Sequence, residues 1–302
     1  MTRHALVAVA LALALLAAGC VGTTGQTTTV STTTDATAAT DADAGAATTA
    51  GSSTVATTGS GSTSDDDAGS EFEDVDADAL ASAGASSLAT AEGVVVEGNV
   101  TRTVRTASGA TTVEVAFTER DDVAARELAI ERTVRANGQR VETATYLVNG
   151  TVFERSPAYE REYGTEWVRV PADGAWVNAS STAVVARLAN ASDASVAGET
   201  TVDGDGAVVL ALDVNASALA TLSGYRVDAE SLNALSGTLA VDPETGRVHA
   251  ATMHLNRTVE NAYGQEVTVV TDVTRQFIHY GPVTVSLPDE ASEATPINGT
   301  QP

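Results

Sequence analysis

Lysine is absent from all 302 residues, cysteine occurs once, and aromatic residues make up only 4%. One cysteine excludes a disulfide framework, a cysteine zinc site and an iron–sulfur cluster. Positive charge is scarce as well: 16 Arg face 40 Asp and Glu, leaving a net charge of −24 and a pI near 4.3. Such a chain repels phosphate backbones and anionic headgroups, so no nucleic-acid partner is expected. Gly-x-Ser-x-Gly, a Walker loop and a dinucleotide fingerprint are all missing. The four histidines do not cluster. His4 lies near the N-terminus, His279 near the C-terminus, and His249 and His254 share one predicted strand. Five residues apart on a strand, those two point to opposite faces and cannot hold one ion. Glu160-Arg161-Glu162 places its carboxylates on facing-apart neighbours with Arg161 available as an ion-pair partner, which reads as structure. No enzyme activity, metal or cofactor is expected.

What is present begins with an address. Residues 5–18 form an unbroken apolar run behind Arg3 and His4. The run is too short for a comfortable membrane span and has the length of a signal-peptide core. Its end, Leu16-Ala17-Ala18-Gly19-Cys20, resembles the lipobox of exported lipoproteins, with Ala17 where the motif usually has Leu. Cys20 is the only cysteine and falls where lipidation needs it. The reading is a signal peptide over 1–20, a lipid anchor at Cys20 and a chain held on the outer face of the cell membrane.

Residues 21–70 are Thr, Ser, Ala, Gly and Asp with almost no large apolar side chain, too little to offset the entropy of ordering, so a disordered tether is expected. The run Asp65-Asp66-Asp67 reads as a solvated charge block, because it lacks the ligand spacing of a calcium loop. Residues 21–92 hold twelve acids and no base, whereas 93–302 hold 28 acids and 15 Arg. A folded part that is acidic and free of lysine suggests adaptation to high salt, where screening relieves self-repulsion. Seven of the ten asparagines open an Asn-X-Ser/Thr sequon: Asn99, Asn149, Asn178, Asn190, Asn215, Asn256 and Asn298. That share exceeds chance and marks glycosylation candidates on an exported surface, although turn and capping roles suit Asn149 and Asn178 equally.

The folded domain is expected over 75–290, with a disordered tail over 291–302. A helix capped by Asp76 or Asp78 opens it, with Leu80, Ala83, Leu88 and Ala91 on one face and Gly93 at its end. Alternation then predicts strands through Val113, Val115 and Phe117, through Leu128 and Ile130, and through Val283, Val285 and Leu287. Asn137-Gly138, Asn149-Gly150, Asp203-Gly204-Asp205-Gly206, Tyr263-Gly264 and Asp242-Pro243-Glu244-Thr245-Gly246 supply turns, which makes neighbouring strands antiparallel. Further helical segments are predicted over 180–190 and within 215–235, the latter ending at Gly237. Trp167 and Trp176 read as core anchors. The fold class is α+β, mainly antiparallel β: a curved half-barrel sheet of ten to twelve strands, two of them long (246–259 and 265–279), with helices across its concave face.

Three stretches carry a family resemblance. Residues 146–154 followed by Glu166-Trp167-Val168 resemble the hairpin region of LolA-like and LppX/LprG-like lipoproteins. The turn at 242–246 between its two strands and the close at 280–288, ending in Pro288, resemble theirs in the same order. The chain also resembles a group of haloarchaeal surface lipoproteins with the same anchor and tether. The resemblance covers about residues 75–290. It implies a half-barrel around helices with an apolar cavity for lipid or lipoprotein acyl chains. On that reading the cavity is lined by Val113, Val115, Phe117, Leu128, Ile130, Leu239 and Val241 of the sheet, and by Val184, Val185, Leu188, Leu219 and Leu222 of the helices. Two functions stay open: a lipid or hydrophobe carrier, and a structural or interaction lipoprotein whose sheet packs its own core.

Overall fold

The computed structural model describes residues 75–172, 174–202, 204–214, 231–261 and 264–297. Cys20, the tether, Asn215, Leu219, Leu222 and Asn298 lie outside them. Helix α1 (Ala77–Thr90) opens the described chain. Asp76 caps it by accepting from Ala79 N at 3.0 Å, leaving one fewer orphan donor in the first turn. Two meanders follow. The first is β1 (Val94–Thr106), β2 (Gly109–Asp122), β3 (Glu127–Ala136), β4 (Gln139–Val148), β5 (Thr151–Arg155) and β6 (Trp167–Pro171). The second is β7 (Ser192–Val202), β8 (Asp205–Val214), β9 (Leu232–Val241), β10 (Val248–Glu260) and β11 (Glu266–Tyr280). Between the meanders stand α2 (Pro157–Tyr163), α3 (Trp176–Ala179) and α4 (Ser181–Asn190), with α2 inserted before β6.

Pairing of β1 with β11 joins the meanders into one unclosed sheet in the order β12-β6-β5-β4-β3-β2-β1-β11-β10-β9-β8-β7, where β12 is Thr295–Pro296. All neighbours are antiparallel except β12 and β6. The hairpins that set the register use the expected chemistry. Asn137-Gly138 and Asn149-Gly150 both adopt positive φ at both residues, the left-handed pair that matches strand twist. In the Asp242 turn, Oδ1 accepts from Glu244 N at 2.8 Å and Thr245 N at 3.0 Å, and Gly246 closes it at φ 69. The result is the curved half-barrel, twelve strands wide, with helices on its concave face.

The register assigns every strand residue to a face. One concave row runs Arg132, Phe117, Gly98, Arg275, Ala251, Leu239, Leu210 across seven strands. A Cβ on Gly98 would stand 2.4 Å from Phe117 Cζ and 2.5 Å from Thr274 O, so only glycine lets the ring lie across β1. Helix α1 meets the concave face at Val241 and Val248, where a Cβ on Gly84 would come within 3.1 Å of Val248 Cγ2. Helix α4 packs on α1 and β7.

Three sequence expectations are corrected. Residues 291–296, expected in a disordered tail, are ordered: Ala291 and Ala294 are buried and β12 pairs with β6. Leu232 and Leu235, expected in a helix, lie in β9, where Leu235 pairs with Leu255. A spacing of three suits either period, and the partner strand decides. Val283, Val285 and Leu287, expected as a strand, make no ladder. This extended segment crosses the convex face, where Val285, Leu287, Ala291 and Ala294 pack with Tyr146 and Trp167. Its alternation reports one-sided burial without pairing. The helices α2 and α3 were not expected. Ser156, with Pro157 behind it, caps α2, and Gly164 ends it at φ 72.

Candidate functional site: the concave face of the sheet

The concave face has two ends. At the near end, where β2 finishes and β10 begins, side chains of α1 and α4 fill the space. Leu80, Ala81, Ala85 and Leu88 of α1 and Val185, Ala186, Leu188 and Ala189 of α4 are buried. Into this packing β2 sends two carboxylates, Glu119 (1% exposed) and Asp121 (0%). They continue the alternation of Val115 and Phe117, so they must point inward. Glu119 accepts from Ser181 N and Ser181 Oγ, each at 2.7 Å. Asp121 accepts from Trp176 Nε1 at 2.7 Å and from Ser180 Oγ. Ser180 also caps α4 by accepting from Ala183 N at 3.0 Å. The pair therefore pins the first turn of α4 and the α3 tryptophan to the sheet, and the helix N-terminus favours the negative charge.

Burial, reinforced by Asp121, pushes the Glu119 carboxyl up to about 7. Burial raises Asp121 as well, against the hydrogen bonds from Ser180 and Trp176. Arg275 donates from Nε to Ser181 Oγ at 3.1 Å, bringing positive charge to the cluster. Arg132, 3% exposed, gives Nη1 to Thr145 Oγ1 at 2.8 Å. Its guanidinium is lowered to about 10 by burial, against the pull of Glu154 and Glu119. The hydrogen bonds of Glu119, Asp121 and Arg275 tie the sheet to the segment that opens α4. Their role is to hold helices on the sheet.

Toward the far end the face changes. Asp78 of α1 accepts from Ala194 N at 2.8 Å, on the row that continues through Leu212 and Gly237 to Met253. Beyond that row the same face continues apolar through Leu255, Val267 and Val269, which are buried, and Val104, Val113 and Val259, which are half-buried. Arg102 and Arg257 are the charged residues placed among them.

The convex face is of another kind. Beside the segment 281–297 opens a groove of about 1000 Å³, walled by Glu97, Glu131, Glu142, Glu166 and Arg155 and floored in part by Trp167. Its lining mixes these charged groups with Ala116, Ala144, Tyr146 and Pro288.

Of the expected cavity-lining residues, Val115, Phe117, Leu128, Ile130, Val185, Leu188, Leu239 and Val241 are buried, and Val113 and Val184 half-buried. The structure brings the sheet members together on the concave face, mostly in its near and middle rows. Val104, Leu255, Val259, Val267 and Val269 share that face and were not among the expected set. Glu119 and Asp121 were missed too; two acids at apolar-phase positions of a strand were their signal. Among the sequons, Asn99, Asn149 and Asn190 are exposed and Asn178 and Asn256 half-buried. Ser180, which completes the Asn178 sequon, is buried in the acid cluster. His254 lies on the convex face with Nδ1 2.6 Å from Asp272 Oδ1. Among the described residues no group of three or more His, Cys, Asp or Glu could hold a metal ion, and no helix is long and apolar enough to cross a membrane.

No family model matches the chain, and no curated protein matches it. Solved structures similar to it include LprF from Mycobacterium bovis, at 12% identity over 71% of this chain and 96% of that one, with a TM-score of 0.42. The lipoprotein LppX of Mycobacterium tuberculosis is 14% identical over 65% of this chain and 92% of its own, with a TM-score of 0.37. A putative outer membrane lipoprotein-sorting protein domain from Vibrio parahaemolyticus is 9% identical, over 72% and 96%, with a TM-score of 0.27. The likeness is one of architecture and assigns no function.

Proposed function

We propose that this protein is an exported lipoprotein, anchored through Cys20 to the outer face of the cell membrane, whose half-barrel binds or carries a lipid or another hydrophobic molecule. The observation that carries the reading is the apolar continuation of the concave face beyond the row where Asp78 ties α1 to β7. Beyond it Val104, Leu255, Val259, Val267 and Val269 extend the apolar wall. Aliphatic side chains of this kind suit flexible acyl or isoprenoid chains better than flat aromatic ligands. The lipobox, the Thr/Ser-rich stretch at 21–70 and the sequons support export and a tethered domain. The charge of −24 without lysine supports a high-salt habitat. No residue in this reading performs chemistry, and the protein acts by enclosing its ligand.

A second reading, a structural or interaction lipoprotein without a small ligand, is favoured by the near end alone. There Gly84 and Val248 leave no room for more than themselves. Native mass spectrometry of protein purified from its own host separates the two. The carrier reading expects a co-purified lipid that leaves only on harsh activation. A bare polypeptide, modified solely at Cys20, would support the structural reading.

A further inference from the structure

The described sequons differ in what surrounds them. At Asn178 the completing residue, Ser180, is buried and its hydroxyl donates to Asp121. At Asn256 one amide of β9, Asn233 Nδ2, donates both to Asn256 Oδ1 at 3.1 Å and to Thr258 Oγ1 at 2.9 Å. Asn149 sits in a hairpin turn and Asn190 ends α4, and neither lines the convex groove. Asn99 does line it. Asn99 is exposed, and Thr101, two residues on, stands on the same face of β1 with Val100 buried beneath them. Within the described residues no hydrogen bond engages either side chain.

The register explains why there is room beside Asn99. It pairs with Ala116 of β2, Ala116 with Thr133 of β3, and Thr133 with Glu142 of β4. Short side chains therefore floor a trough that runs three strand spacings, about 14 Å, from Asn99 to Glu142. Its volume of about 1000 Å³ matches the upper end of the range for sites that take organic ligands. Glu97, Glu131, Glu142 and Gln276 around it are exposed, so their oxygens and amide are free to meet hydroxyl groups. Glu131 and Glu142 hold Arg120 and Arg140 at 3.8 and 2.8 Å. The remaining Glu97, Glu166 and Glu290 outnumber Arg155, which disfavours an anionic occupant.

We infer that Asn99 carries an N-linked glycan and that its first, uncharged sugars lie in the convex groove. This rests on the export reading above and adds which sequon is used and where its sugars go. Sugar hydroxyls donate to the carboxylates and accept from the Gln276 amide, and the bonds to carboxylate are the stronger kind. The glycan is already joined to the groove wall, so seating it costs no translational freedom and weak contacts suffice. The concave face of the carrier reading lies on the other side of the sheet and is not involved.

The test uses full-length protein purified from its own host and held in multimolar KCl. Glycopeptide mass spectrometry reads occupancy at every sequon and the mass of the sugar next to asparagine, and carbodiimide labelling reads access to carboxylates. Wild type is expected to carry a neutral sugar on Asn99. Its Glu97, Glu131 and Glu142 should label at least threefold slower than in Thr101→Val, which removes the sequon, keeps Asn99 and suits a strand. Glu260, at the end of β10, should label alike in both, and Asn190→Gln should leave all these rates unchanged. Circular dichroism should show both variants folded. A bare Asn99 beside glycosylated sequons elsewhere overturns the inference and leaves the export reading standing. Sugar on Asn99 with labelling unchanged by Thr101→Val overturns the seat in the groove, because the glycan then projects into solvent. No sugar at any sequon overturns the inference and removes the sequons from the case for export.

Discussion

The near and far ends of the concave face are made from the same strands and differ in what they face. At the near end Val94, Val96, Leu128 and Ile130 meet helix side chains, and even two carboxylates there have every hydrogen bond directed at α3 or α4. At the far end valines of the same strands run on with two arginines among them. The first is a protein core with its partners inside the chain. The second is an apolar wall in which Leu255, Val267 and Val269 are buried as well, and on the carrier reading it is where the ligand lies. One sheet can hold both because its strands are long: β11 alone has 15 residues, about 50 Å at ordinary strand rise.

Truncation at the two ends should therefore cost unequal amounts. Leu88→Ala removes a fully buried side chain from α1 and is expected to cost about 2–5 kcal/mol in urea unfolding. Val259→Ala, at a half-buried far-end position, should cost under about 1 kcal/mol in the ligand-free protein. Equal costs would erase the distinction between core and binding wall.

The acid pair sharpens the near end through pH. Glu119 has an ordinary value of 4.5 and is raised by burial to about 7. Across that window the native state keeps a proton that the unfolded chain has lost, so stability falls as pH rises and levels off above the window. Relative to Glu119→Gln, which does not titrate, wild type should lose about 3 kcal/mol between pH 4.5 and 7. Unfolding both proteins across that range at fixed high salt checks it, and a constant gap would mean that Glu119 is ionised throughout.

The convex face supplies two smaller contrasts. Leu287→Ala, on the segment packed over Trp167 and Tyr146, should cost about 1 kcal/mol and speed proteolysis of the C-terminal segment without altering ligand retention. Arg140→Gln breaks an exposed 2.8 Å ion pair with Glu142. It should change the melting midpoint within error, because such pairs contribute little and salt screens them.

Much of this was legible beforehand where a local rule and the tertiary environment agree. Asp76, Ser180, Asn137-Gly138 and the Asp242 turn did what their chemistry dictates, and the alternation at 113–117 and the long strands at 246–259 and 265–279 emerged close to their expected bounds. Legibility failed where alternation has two causes. Val283, Val285 and Leu287 alternate because a lone segment lies on a sheet, and Leu232 and Leu235 fit a helix until Leu255 pairs with one of them. The division of the concave face into two ends could not be read at all. It depends on which rows α1 and α4 reach, a consequence of packing and register. Glu119 and Asp121 looked like ordinary surface acids in an acidic chain, and only their inward phase shows otherwise.

The most direct measurement of the central claim is photolabelling with a lipid that carries a diazirine on its acyl chain, followed by peptide mapping. The far-end account predicts adducts concentrated on the strands around Val104, Leu255, Val259 and Val267, displaced by excess unlabelled lipid. Adducts centred on the Trp167 side of the sheet, or spread evenly and indifferent to competitor, would contradict it.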